Sequence, residues 1–313
     1  MSFTSEVKAE IAQNELHECC VRAQLAAFIQ LNASLSIVNQ QYQLVIQIEN
    51  ATIAKRIYSL LKSRYGELVI ELSVMKKQNL KKNNIYILRV VNQVRAILDD
   101  LGIMGAYGLR KVPYASITVK ECCARAYIAG AFMANGSINA PQKTNYHCEI
   151  SCNSETFAKH LVSLLSRFNF KVKTTVRRHT TIVYMKASDQ IADFLRLIGA
   201  SQATLNFEDI RIQRDFRNSL TRLDNCEVAN EVKTLNAGKK QIEAIEKLQR
   251  AGRLPYLDVK LQEIAALRLA HPEASLNELA DLIERDTGQG MSKSGLQHRF
   301  SKLIELAMKV KEV

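Results

Sequence analysis

The sequence predicts an α+β domain built twice over, with pseudo-twofold symmetry, followed by a smaller all-α domain. Three observations carry this. The block Glu18-Cys19-Cys20-Val21-Arg22-Ala23 returns as Glu121-Cys122-Cys123-Ala124-Arg125-Ala126 with one substitution. Helical and strand-like periodicities follow each block in the same order. Beyond about residue 236 only helical periodicity remains, punctuated by glycine and proline.

The duplication keeps its register. The cysteine pairs are 103 residues apart (122 − 19), and Asn32-Ala33-Ser34 meets Asn135-Gly136-Ser137 at the same offset. Thr52-Ile53-Ala54-Lys55 meets Thr156-Phe157-Ala158-Lys159, and Ser59-Leu60-Leu61 meets Ser163-Leu164-Leu165, at 104. A spacing held through helix-like and strand-like segments alike reads as two copies of one folding unit.

Each copy reads helix, two strands, helix, two strands, helix. In the first, the cysteine-pair helix is followed by an alternating run at Tyr42–Ile48, a helix at Ala51–Arg64, strands at Leu68–Val74 and Ile85–Val91, and a closing helix at Val94–Leu101. In the second, the later strands are Phe170–Val176 and Thr181–Lys186, and the closing helix is Gln190–Ile198. The expected division is a duplicated domain over 1–205 (repeats 1–102 and 103–205), a largely helical linker over 206–235, and a helical domain over 236–313.

A chain of 313 residues, 47% apolar, is long enough for two cores at about 100–200 residues per domain. Its net charge of +12 favours polyanionic partners. Residues 1–205 hold 25 of the 43 basic and 14 of the 31 acidic side chains, so the surplus belongs to the duplicated part. No apolar run reaches the 18 or so residues that span a bilayer, and the polar start Met1-Ser2-Phe3-Thr4-Ser5-Glu6 lacks a signal-peptide core, so a cytoplasmic protein with no membrane partner is expected.

Seven cysteines, an odd number without an export signal, read as reduced thiols. An adjacent pair such as Cys19-Cys20 does not by itself offer zinc spacing. Cys148 and Cys152 lie on one face of an alternating strand, about 13 Å apart, and read as buried structural residues. No metal site and no cofactor are expected.

Within the repeats, Leu25-Ala26-Ala27-Phe28-Ile29-Gln30-Leu31-Asn32-Ala33 and Ile128-Ala129-Gly130-Ala131-Phe132-Met133-Ala134-Asn135-Gly136 resemble the LAGLIDADG motifs of homing endonucleases. The resemblance implies two motif helices packed across the pseudo-twofold, with Ala27, Gly130 and Ala134 allowing close approach. It also implies that the acidic residue binding the catalytic metal in active members corresponds to Asn32 and Asn135, which are uncharged. Hard cations are held largely by carboxylates, so no catalytic residue is assigned. The resemblance further implies sheets that face DNA, and the matching strand pairs are basic. Lys76, Lys77, Lys81 and Lys82 stand in the first copy, with Lys171, Lys173, Arg177 and Arg178 in the second. Solubilising edge-strand charge is the competing account of these residues.

In the C-terminal third, helices are signalled at Lys239–Arg250 and Val259–Ala270. Ser275-Leu276-Asn277-Glu278 is a capping-box pattern opening a helix to about Arg285. Gly288-Gln289-Gly290 breaks it, and Ser292 is the expected N-cap of a last helix, giving a helix-turn-helix over 275–307. On that helix Leu296, Phe300, Leu303 and Ala307 share one side. Lys293, Ser294, Gln297, His298, Ser301 and Lys302 face outward, with Arg299 flanking. Glutamine pairs bidentately with adenine and arginine with guanine, so Gln297 and Arg299 are the candidate base readers. Ser292, Lys293, Ser294, His298 and Lys302 complete the candidate DNA-binding set.

The order of these features, with Asn225-Cys226-Glu227, Ala229-Asn230 and the Ser292-to-Arg299 helix start, resembles the WhiA family of Gram-positive bacteria. That resemblance implies a nucleoid-associated DNA-binding regulator tied to cell division and chromosome segregation, and to sporulation in some lineages. Double-stranded DNA is the expected partner, with other transcription or division proteins. Two alternatives stay open: a scaffold bridging division proteins, and a residual metal-dependent endonuclease.

Overall fold

The computed structural model describes residues 2–76, 84–288 and 290–310. It divides into two compact units, Met1–Arg214 and Asp215–Val313.

In the first unit, α1 (Phe3–Ile11) precedes two repeats of one plan. The first repeat is α2 (Glu18–Asn32), β1 (Ala33–Val38), β2 (Gln41–Ile48), α3 (Ala51–Tyr65), β3 (Ile70–Lys76), β4 (Asn84–Val90) and α4 (Val94–Asp100). A two-stranded turn of β5 (Met104–Gly105) and β6 (Gly108–Leu109) leads into the second repeat. That repeat is α5 (Glu121–Asn135), β7 (Gly136–Ile138), β8 (Cys148–Cys152), α6 (Glu155–Ser166), β9 (Lys173–Arg177), β10 (Thr180–Met185) and α7 (Ser188–Leu197). The two antiparallel sheets have matching orders, β1-β2-β4-β3 and β7-β8-β10-β9. The expected pseudo-twofold α+β fold is therefore present.

α2 and α5 form its centre. They lie parallel: Gly130 sits against the Gln24 backbone midway, and the Asn135 side-chain carboxamide donates to the Leu31 carbonyl at the C-terminal ends, 3.4 Å. A Cβ added at Gly130 would stand 2.4 Å from the Gln24 carbonyl oxygen, so only glycine permits this approach. Ala23, Ala26, Ala27, Ala124, Ala129 and Ala131 are buried along the same pair.

Two strands start later than their periodicity predicts. β3 begins at Ile70 rather than Leu68, and β9 at Lys173 rather than Phe170. The reason is shared: Leu68 and Phe170 are apolar anchors dropped into the core before strand pairing starts, Phe170 edge-on to Phe194 with ring centroids 6.1 Å apart. Cys148 and Cys152 are both buried on one face of β8, as the alternation predicts.

The sequence reading missed α1, although Phe3, Val7 and Ile11 bury one face at i, i+4, i+8. α1 ties distant segments together. Thr4 exchanges two hydrogen bonds with the Ile138 backbone, donating at 2.8 Å and accepting at 3.0 Å. The Glu10 carboxylate accepts from the Gln202 and Ala203 amides at 2.7 and 3.0 Å, capping the next helix from outside its own segment.

That helix, α8 (Ser201–Arg250), runs 50 residues without a break. The linker expected over 206–235 and the helix expected from Lys239 are thus one element. No glycine or proline interrupts residues 200–237. The helix continues through Gly238, where a Cβ would stand 3.0 Å from the Pro272 carbonyl oxygen.

The second unit continues with α9 (Val259–Ala270), α10 (Leu276–Thr287) and α11 (Lys293–Met308). Its core gathers Ile245, Leu248, Ile264, Ala265, Leu279, Leu296, Phe300, Leu303 and Ala307. Among the described residues of this unit one charged side chain is enclosed: Arg268 of α9 is 2% exposed. Its guanidinium lies 5.2 Å from the Phe300 ring centre and donates to the Ala274 carbonyl at 2.6 Å and the His271 carbonyl at 3.3 Å. It fastens the α9–α10 loop to α11, a role its position in the sequence did not reveal.

Candidate nucleic-acid interface

Local chemistry sets the helix-turn-helix. Ser275 and Glu278 close the expected capping box: the Ser275 amide donates to Glu278 Oε2 at 2.6 Å, and the Glu278 amide to Ser275 Oγ at 3.2 Å. α10 ends at Gly288, whose φ of +69° reverses the chain where a side chain would be strained. Ser292 then caps α11, accepting from the Gly295 amide at 3.2 Å.

The faces of α11 separate as predicted. Leu296, Phe300, Leu303 and Ala307 are buried, whereas Ser292, Lys293, Ser294, Gln297, His298, Ser301 and Lys302 are exposed. Arg299 is half-buried at the flank. Among the described residues, Lys293 and Arg299 have no carboxylate partner. Lys302 is engaged by Glu305 at 3.1 Å, an exposed pair that yields readily to a phosphate. No acidic residue stands in the first turn of α11, so its free amides and helix dipole add positive potential beside Lys293.

In the first unit, Lys171, Lys173, Arg177 and Arg178 are exposed on and beside β9. Arg178 and His179, both at positive φ, form the two-residue turn into β10. Lys76 is exposed at the end of β3, the matching edge strand of the other sheet. Lys77, Lys81 and Lys82 lie outside the described residues. The described basic side chains thus occupy equivalent hairpins of the two repeats.

The C-terminal ends of α2 and α5 carry Asn32 and Asn135, both half-buried. The carboxamide of Asn135 donates to Leu31, a bond no carboxylate can make. Neighbouring groups are likewise neutral amides: Asn153 donates to the Gln30 carbonyl at 2.8 Å, and Gln30 to the Arg110 carbonyl at 2.9 Å. This donor set does not fit a hard divalent cation. Asn135→Asp is expected to cost about 1–3 kcal/mol by leaving the Leu31 carbonyl facing a carboxylate, and to confer no plasmid nicking with Mg²⁺. Urea denaturation and a supercoiled-plasmid assay measure the two effects.

The other ends of the same helices hold a grouping the sequence reading missed. The Sγ atoms of Cys19, Cys20, Cys122 and Cys123 all lie within 4.8 Å of one another. Neither adjacent pair offers zinc spacing alone, but the duplication places them together; the 103-residue offset contains that signal. Burial pushes the Cys123 thiol up to about 11 and the Cys20 thiol higher still, while a hydrogen bond from Cys123 holds Cys19 below the ordinary thiol range.

Known proteins are similar to this chain in sequence and in fold. Three family models match: the WhiA N-terminal LAGLIDADG-like domain over residues 18–104, the WhiA LAGLIDADG-like domain over 124–217, and the WhiA C-terminal HTH domain over 220–307. A relative from Oceanobacillus iheyensis named "Probable cell division protein WhiA" is 44% identical over 312 residues, covering 99% of this chain and 98% of its own. One of the same name from Latilactobacillus sakei is 47% identical over 308 residues, covering 98% and 97%. A crystal structure of a full-length WhiA protein from Thermatoga maritima matches the fold with a TM-score of 0.60 at 22% identity, covering 100% of both chains. No helix among the described residues is long and apolar enough to cross a membrane.

Proposed function

The chain belongs to the WhiA family, and from that premise we propose that it is a sequence-specific DNA-binding protein without nuclease activity. It acts as a transcriptional regulator or nucleoid factor in cell division and chromosome segregation. Residues 236–313 read the DNA, and the basic hairpins of the duplicated domain add phosphate contacts. The observation that carries this reading is the division of α11, with four apolar side chains buried on one side and a polar, cationic row exposed on the other. The names of the relatives support the cellular role, and the asparagines at the motif ends support the absence of cleavage.

Lys293 contacts phosphate; Gln297 and Arg299 read base edges. Against duplexes selected from a genomic library by the full chain, Gln297→Ala and Arg299→Ala are each expected to lose about 1–3 kcal/mol of affinity, roughly 5- to 150-fold, on the selected site and little on random duplex. Lys293→Ala weakens both, and lowers the slope of log affinity against log salt by about 0.9. Fluorescence anisotropy across a salt series separates the outcomes. Parent-like affinity in all three variants would remove α11 as the reading helix.

A further inference from the structure

α2 and α5 begin side by side, each with two cysteines in its first turn. Cys20 and Cys123 are buried, Cys19 is half-buried, and Cys122 is exposed. The four sulfurs lie within 4.8 Å of one another, with Cys122 and Cys123 4.0 Å apart. A sulfur tetrahedron around zinc, with Zn–S of about 2.3 Å, has edges of about 3.8 Å, so a contraction of under about 1 Å closes the group on an ion. No carboxylate or imidazole belongs to the grouping, which makes it an all-sulfur donor set.

We propose that Cys19, Cys20, Cys122 and Cys123 form a tetrathiolate site for a soft, tetrahedral divalent cation, zinc above all, that fastens the two repeats together at the N-terminal ends of α2 and α5. Binding displaces the four thiol protons to solvent and leaves a doubly negative centre; no electron is transferred. The acidic residues of the same two first turns are paired, Glu18 with Arg64 at 3.7 Å and Glu121 with Arg125 at 2.6 Å, and the helix ends favour that charge. Both helices present their positive ends, and neither has a side-chain cap: His17 and Lys120, at the cap positions, make no capping bond to the first-turn amides. Lys120 adds a positive charge beside Cys19. Exposed Cys122 gives the ion its entry from solvent.

Cys19 and Asn32 are 13 residues apart on one helix, about 20 Å at 1.5 Å per residue. The site is therefore distinct from the position corresponding to the nuclease metal. With all four ligand positions filled by protein, it is structural.

The test uses the full chain, purified under reducing conditions, stripped of metal, and titrated with Co²⁺. Sulfur-to-cobalt charge-transfer absorption with tetrahedral ligand-field bands is expected, saturating at one ion per chain and displaced by Zn²⁺. Cys19→Ser/Cys122→Ser, which alters the less buried pair, should abolish the bands while the far-ultraviolet circular dichroism stays native. Should that variant misfold, Cys122→Ser alone should lower zinc affinity by more than the ~10–100-fold typical of second-shell losses. Cys226→Ser, outside the grouping and on α8, should bind cobalt like the parent. No saturable band, a band that survives in Cys19→Ser/Cys122→Ser, or a disulfide between the two pairs in protein alkylated at lysis would overturn the assignment.

Discussion

Arg268→Ala is expected to destabilise the helical unit by about 3–5 kcal/mol, a large share of the roughly 5–15 kcal/mol that holds a domain folded. The substitution removes the two hydrogen bonds to Ala274 and His271 and the guanidinium over Phe300, and opens a cavity where a 2%-exposed side chain stood. Because Phe300 belongs to α11 and the loop leads into α10, both helices of the helix-turn-helix lose their common support. Hydrogen exchange should accelerate across α9, α10 and α11 while α2 and α5 stay protected, and duplex affinity should fall with it. Arg268→Met separates packing from polar contact: it refills the volume but leaves the carbonyls without donors, so intermediate stability is expected. Parent-like exchange in Arg268→Met would show that the hydrogen bonds contribute nothing.

Gly130→Ala should destabilise the duplicated domain by at least about 2 kcal/mol, even though alanine is the better helix former by about 1 kcal/mol. The new methyl would meet the Gln24 carbonyl oxygen at 2.4 Å, a backbone atom of a buried helix that cannot rotate away. The two helices must separate, and every contact along their seam loosens. Ala27→Gly, at the matching position of the other repeat, removes a methyl without a clash and should cost less. A urea midpoint for Gly130→Ala equal to or above the parent's would contradict the close approach. Cobalt binding in the same variant adds a second reading, since parting α2 from α5 also parts the cysteine pairs.

Much of this arrangement was legible in the sequence because it repeats. The 103-residue offset identified the two folding units, and small residues in register named the central helices. Ser275 with Glu278, Gly288, and Ser292 marked helix ends through their own backbone chemistry, so the helix-turn-helix and the outward row of α11 followed from local rules. What escaped depended on contacts distant in sequence. Arg268 looks like any surface arginine until the 271–274 loop folds over it. α1 carries a clear apolar stripe, but its partners, Ile138 and the start of α8, lie more than 130 residues away. The cysteine pairs fell between the two cases: each was visible, yet their meeting required the repeats to be superposed as well as aligned. Leu68 and Phe170 continue an alternating pattern, and only the tertiary core shows them to be anchors outside the strands.

The parallel course of α2 and α5 gives this helix pair an electrical polarity. Two macrodipoles aligned side by side repel, concentrating about half a positive charge per helix at one end and as much negative charge at the other. Carboxylates in place of Asn32 and Asn135 would sit on the electronegative pole, tolerable only with a cation between them. Uncharged amides remove that obligation, and the pole that welcomes anions is the one holding four sulfurs.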